Sequence, residues 1–228
     1  MKIIFSILFC LLSIALQAQD SIQTDTTKWK KHHIGITYST DYNYRLLEAD
    51  SKSTWIKDIA DSMEVPKFGF SAGINYAFKL GEKTTLNTGV IFSDNGEKTK
   101  NNVELQTVNY TNHYYFVSVP LRIDYTVYSK KVAIYTTLGI TNNFFINHRT
   151  VMYEDGKKEA IEFNNQKDLM VYNIGGIAGL GMNAKLSDNL IFKLEVLYKQ
   201  SLTPVNNDSV KKWLYAVGPN FGLYYSFN

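Results

Sequence analysis

Apolar and polar positions alternate along eight stretches of the chain, at about residues 33–40, 68–80, 84–94, 114–128, 131–146, 169–186, 189–202 and 212–227. Successive side chains leave a strand on opposite faces, so alternation over such lengths predicts β-strands with two unlike faces. In the second stretch Phe68, Phe70, Ala72, Ile74, Tyr76, Phe78 and Leu80 share one face, and Gly69, Ser71, Gly73, Asn75, Ala77 and Lys79 the other. The fourth sets Tyr115, Val117, Val119, Leu121, Ile123, Tyr125 and Val127 against Phe116, Ser118, Pro120, Arg122, Asp124 and Thr126. The seventh sets Leu190, Phe192, Leu194, Val196 and Tyr198 against Ile191, Lys193, Glu195, Leu197 and Lys199.

The connections alternate in length as well. "GEK" (81–83), "SKK" (129–131) and "SDN" (187–189) are tight polar turns, whereas 41–67, 95–113, 147–168 and 203–211 are long. Short turns at one end and long loops at the other describe an up-and-down meander of antiparallel strands. Closing eight such strands into a ring removes both sheet edges. The expected fold is therefore all-β, an eight-stranded antiparallel up-and-down barrel.

Which face looks outward decides the environment. A soluble barrel with an apolar interior would carry many Lys and Glu outside; here the second face holds mostly Gly, Ser, Thr and Asn. Ten of the fourteen glycines fall on it: Gly35, Gly69, Gly73, Gly89, Gly139, Gly175, Gly179, Gly181, Gly218 and Gly222. Small groups suit a narrow lumen, so the bulky face is expected to point outward into lipid. Strand lengths agree, since a tilted membrane strand takes about 9–11 residues.

Composition adds little beyond this. Sixteen Tyr, thirteen Phe and three Trp favour strands, and a net charge of +3 without a Lys/Arg block argues against nucleic acid as a partner. The opening "MKIIFSILFCLLSIALQAQD" reads as a signal peptide over residues 1–18, cut before Gln19. Cys10, the one cysteine, falls within it, which removes disulfides and thiolate metal sites from the mature chain. Residues 19–32 are expected to be a short periplasmic segment and 33–228 the barrel domain, in the outer membrane with its lipid as surroundings.

The chain ends on "PNFGLYYSFN" (219–228). Asn220, Gly222, Tyr225 and Phe227 fit a polar-x-Gly-x-x-aromatic-x-aromatic pattern that resembles the C-terminal signal read by the barrel insertion machinery. "YFVSVPLRIDY" (115–125), with Pro120 inside a strand, resembles the stretch Y-L-E-I-P-L-x-x-K-Y of PorT-like outer-membrane β-barrel proteins. "GLGMNAKLSDNLIFKLEVLYKQSLT" (179–203) is similar to the penultimate hairpin of that family. Ser118 stands where the family often has Glu, and Asp124 where it often has Lys. The resemblance implies an eight-stranded outer-membrane barrel in a family whose named members are linked to secretion and gliding. Because Pro120 lacks a ladder N–H, a local bulge is expected there.

Chemistry-bearing residues are sparse. Arg122, Asp124, Lys193 and Glu195 project inward, two residues apart on each strand and near the short turns. Pairing Arg122 with Glu195 and Lys193 with Asp124 would make an ion-pair plug across the lumen, each charge offsetting the desolvation of its partner. Each acid has a base beside it, which argues against a catalytic carboxylate pair. His32 and His33 point to opposite faces, and His113 and His148 sit where loops meet strands, so no metal set is expected. No nucleophile elbow, phosphate loop or dinucleotide fingerprint is present, and no cofactor is expected.

Any specific role should lie in the long loops 41–67, 95–113, 147–168 and 203–211. The first contains "RLLEADSKSTWIKDIADSMEV" (45–65), where a short helix would use Leu46, Leu47, Trp55, Ile56 and Ile59 as apolar contacts. The expected function is non-enzymatic, a structural barrel or one that binds an envelope protein through these loops. A small-solute pore is the alternative, and a lipid-modifying enzyme the third.

Overall fold

Around the barrel each strand pairs with its neighbours in chain order, and the last returns to the first. The computed structural model describes residues 30–99, 108–130, 132–154, 157–163 and 169–228, so the expected leader (1–18) and residues 19–29 lie outside it. The elements are β1 (His32–Ala49), α1 (Thr54–Met63), β2 (Glu64–Lys79), β3 (Thr84–Asn95), β4 (Glu97–Thr99), β5 (Val108–Ser129), β6 (Val132–Glu154), β7 (Lys157–Phe163), β8 (Tyr172–Lys185), β9 (Leu190–Ser201) and β10 (Val210–Phe227). Eight of them form the ring β1-β2-β3-β5-β6-β8-β9-β10, closed by β10 on β1, with every pairing antiparallel. β4 continues the line of β3 along β2, and β7 folds back on the end of β6. Between β3 and β4 the chain turns at Gly96, whose φ of +145° is a backbone state that side-chain-bearing residues rarely adopt.

The bulky face points outward. Ile34, Ile36 and Tyr38 on β1, Leu121, Ile123 and Tyr125 on β5, and Leu223, Tyr225 and Phe227 on β10 are exposed, while His33, Thr37, Ser39, Asn220 and Ser226 between them are buried. In water this continuous apolar wall would be unstable; in hydrocarbon it is the required surface, with the ladder closed into a ring. Tyr42, Phe68, Tyr115, Phe144, Tyr172 and Tyr198 bound the band at the long-loop end, and Tyr76, Tyr125, Tyr128 and Phe227 at the short-turn end. The fold is thus an eight-stranded transmembrane β-barrel.

Two expectations about local structure are corrected. No bulge occurs at Pro120: Thr88↔Leu121 and Ile91↔Ser118 keep one register, and only the rungs between them are missing from the β3–β5 ladder. Pro219 leaves a similar gap between Ser39↔Asn220 and Tyr42↔Val217. A proline removes a donor without adding a residue, so the ladder is interrupted and the count preserved. The register shifts of β5 and β6 fall at Tyr115/Phe116 and Thr126/Tyr128. The long "loops" also begin as strand: β1 continues to Ala49, and β5 starts at Val108. Part of the ladder therefore rises above the aromatic girdle.

Candidate functional site

Side chains crowd the lumen, and one charged level lies toward the short turns. Arg122 and Asp124 reach it from β5, and Lys193 and Glu195 from β9, two strands that do not touch in the ring. Arg122 Nη1 stands 3.1 Å from Glu195 Oε1. Lys193 Nζ donates to Asp124 Oδ2 at 2.7 Å and lies 3.3 Å from Glu195 Oε1. Two positive and two negative groups, all buried, thereby offset one another in a medium where any one alone would be costly.

Three further residues complete this layer. Tyr135 Oη donates to Glu195 Oε1 at 2.9 Å, and Asn220 Nδ2 to Glu195 Oε2 at 2.6 Å. The Lys193 ammonium lies 4.8 Å from the centre of the Tyr135 ring and 5.6 Å from that of Tyr224, within cation–π range. Each of these large rings faces a glycine in register, Tyr135 opposite Gly181 and Tyr224 opposite Gly35. A Cβ built on Gly181 would fall 2.3 Å from Tyr135 Oη, so the ring occupies the space that glycine leaves. Asn220 therefore has a lumen contact besides its place in the C-terminal pattern. Gly222 faces the lumen beneath Tyr224, while Tyr225 and Phe227 are on the lipid side.

The charged layer lies between two cavities. One of about 90 Å³ is lined by Asn75, Ser118, Pro120, Arg122, Asn173 and Lys199, among others. The other, about 60 Å³, is lined on the short-turn side by His33, Lys79, Asn87, Asp124, Lys193 and Tyr224. Above the larger cavity Lys199 Nζ pairs with Asp41 Oδ2 at 2.8 Å, and Ser39 donates to Asp41 Oδ1 at 2.6 Å.

At the long-loop end the mouth is stoppered. Val205, from the β9–β10 connection, packs with Tyr114, Phe116, Phe145, Leu214 and Leu169 in an apolar cluster. Beside it Lys212 Nζ donates to Glu97 Oε1 at 2.7 Å and to Tyr114 Oη at 2.7 Å. Burial favours the neutral form of Glu97, but Lys212 and the hydrogen bonds from Lys212 and Asn112 outweigh it and hold the carboxyl below its usual range. His148, stacked on Tyr114 at 4.6 Å, is lowered to about 4, first by burial and then by the Lys212 charge.

The remaining histidines are dispersed. His32 stacks on Phe227 outside, at 5.4 Å, and His33 bonds Ser226 inside, at 2.8 Å. His113 Nδ1 lies 2.9 Å from Asp94 Oδ2, and the same carboxylate receives Lys67 on its other oxygen at 2.7 Å. Among the described residues no three His, Cys, Asp or Glu gather as metal ligands would.

No protein-family model and no curated protein matches the chain. Solved structures do. Neisserial surface protein A (NspA) is similar at 12% identity, covering 86% of this chain and 97% of its own, with a TM-score of 0.44. A major outer membrane protein from Thermus thermophilus is similar at 11% identity over 86% of this chain and 99% of its own, with a TM-score of 0.46. The outer membrane protein OprG from Pseudomonas aeruginosa stands at 12% identity, 86% and 96% coverage, and a TM-score of 0.41.

Proposed function

We propose that this protein is a non-enzymatic outer-membrane barrel of the PorT-like type, closed to solutes, that serves the envelope as a structural or partner-binding component. The observation carrying this reading is the charged layer of Arg122, Asp124, Lys193 and Glu195, which lies between two cavities of about 90 and 60 Å³. A solute passing through would have to separate buried ion pairs, of which Arg122–Glu195 is held by further hydrogen bonds from Tyr135 and Asn220. The stopper around Val205 adds an apolar barrier at the mouth. The export signal, the lipid-facing band and the C-terminal aromatic pattern support the outer membrane as its place and the barrel insertion machinery as its route there. The link to secretion rests on the resemblance of residues 115–125 and 179–203 to PorT-like barrels, and the partner would be another envelope protein meeting the long loops.

Planar-bilayer recording tests the closed lumen. The purified barrel is expected to give no sustained conductance steps, and steady ohmic steps would assign it to the small-solute pores instead. Affinity purification from gently solubilised outer membranes tests the partner. Unchanged lipid A masses on deletion are expected of a protein without lipid-modifying activity.

A further inference from the structure

Helix α1 turns its apolar side away from the protein. The turn before it is closed by Asp50, whose carboxylate accepts the N–H of Lys52 at 3.1 Å and of Ser53 at 2.9 Å. Its other end is fastened to the barrel, with Arg45 Nη1 3.0 Å from Asp61 Oδ1 and the same guanidinium on Glu64. Tyr44 Oη adds a bond to the Glu64 carbonyl at 2.9 Å. Lys57 pairs with Asp61 at 3.3 Å, so the polar side of the helix is the tethered one. At about 100° per residue Trp55, Ile56 and Ile59 fall on the far side, and they are 63%, 42% and 50% exposed. The expectation that these residues pack as contacts is therefore corrected: no residue of α1 is buried.

A water-facing helix normally does the reverse, because an exposed apolar stripe beside a free protein surface gains nothing. The outer wall of the strands beside it is apolar as well. Along the outward side of β1, Ile34, Ile36, Tyr38, Tyr42 and Leu46 are all exposed, and Leu46 pairs with Trp213 of β10 above the girdle. α1 lies against β1, β2 and β10. We propose that the Trp55–Ile56–Ile59 side of α1 rests in the headgroup–acyl boundary of the outer leaflet, extending the lipid contact of the barrel beyond its girdle on the β1–β10 side. Tryptophan favours that layer, since its ring is apolar and its N–H needs a polar neighbour.

The test uses the full chain with Trp55 as the one tryptophan (Trp29→Phe with Trp213→Phe), folded into phosphatidylcholine vesicles and checked by heat-modifiable migration. Bromine near the headgroup end of the acyl chains is expected to remove roughly half of the Trp55 emission or more, while aqueous iodide quenches it far less than in the unfolded chain. Adding Ile56→Asp and Ile59→Asp to the folded barrel should abolish the bromine effect and admit iodide. Emission indifferent to bromolipid and fully open to iodide would overturn the proposal and leave the face to a soluble partner or a second copy. Bromine quenching that survives the double aspartate variant would overturn it too.

Discussion

Arg122 and Glu195 are 73 positions apart in sequence and meet 3.1 Å apart inside the barrel, on strands separated by two others in the ring. Neither could be buried alone. Replacing Glu195 by Ala would leave Arg122 and Lys193 facing each other with one acid between them. The expected loss is about 3–5 kcal/mol of folding stability, read as a lower urea midpoint in vesicles, and a change under about 0.5 kcal/mol would show that the pair is solvated.

Tyr135 keeps its bond to Glu195 only while Gly181 leaves room. Gly181→Ala puts a methyl against the phenol oxygen, 2.3 Å away before any shift. The expected cost is about 1–3 kcal/mol, with the tyrosine displaced. Equal melting temperatures for variant and parent would contradict the tight fit.

On the lipid side, Leu138 is 71% exposed near the middle of the apolar band. An arginine there should cost about 2–4 kcal/mol in vesicles, falling toward zero for the same change beyond the girdle. A soluble barrel would tolerate an arginine in both places.

Acidification should loosen the stopper. His148 is held near 4 against an ordinary 6.5, so the unfolded segment takes up a proton more readily than the folded one. The contribution of the neutral imidazole is complete above about pH 6.5 and disappears as pH falls toward 4. Glu97, also lowered, contributes above its unfolded pKa and is lost only in stronger acid. Lys212, Glu97 and His113 are the charged or titratable groups acting on His148. Protection of the amides around Val205, corrected for the intrinsic exchange rate, should therefore fall as pH is lowered from about 7 to 5, and His148→Gln should flatten that dependence.

The terminal aromatics are expected to matter for assembly more than for stability. Phe227→Ala should lower the amount of barrel reaching the membrane in cells, while purified protein refolds into vesicles nearly as well as the parent. Equal losses in both assays would assign Phe227 to the lipid girdle alone.

Strand parity made much of this legible in the sequence. Arg122, Asp124, Lys193 and Glu195 alternate with lipid-facing neighbours and sit near short turns, so their level in the barrel follows from counting. Parity also puts Tyr135 and Tyr224 on the inner face, in step with Gly139 and Gly222, but not their place in the charged layer. That signal was relational: each faces a glycine across the ladder, a pairing visible once register is known. Glu97 and Lys212 meet 115 positions apart above the membrane, Lys212 at the start of the eighth expected strand and Glu97 in a stretch read as loop that the fold continues as strand.

Pro120 misled in another way. A proline in a strand signals a disturbance without saying which, and here the wall skips rungs in place of bending.

The seven-residue layer has a mechanical consequence. A closed sheet is stiff along its strands but easily squeezed across them, as an unsupported hoop is. Struts between β5 and β9, tightened by groups from β6 and β10, fix the distance between opposite walls, so lateral pressure from the bilayer meets a braced cross-section. Strands joined through such a hub loosen together, and amide exchange in the lower half of the wall should show one opening free energy shared by neighbours on all sides.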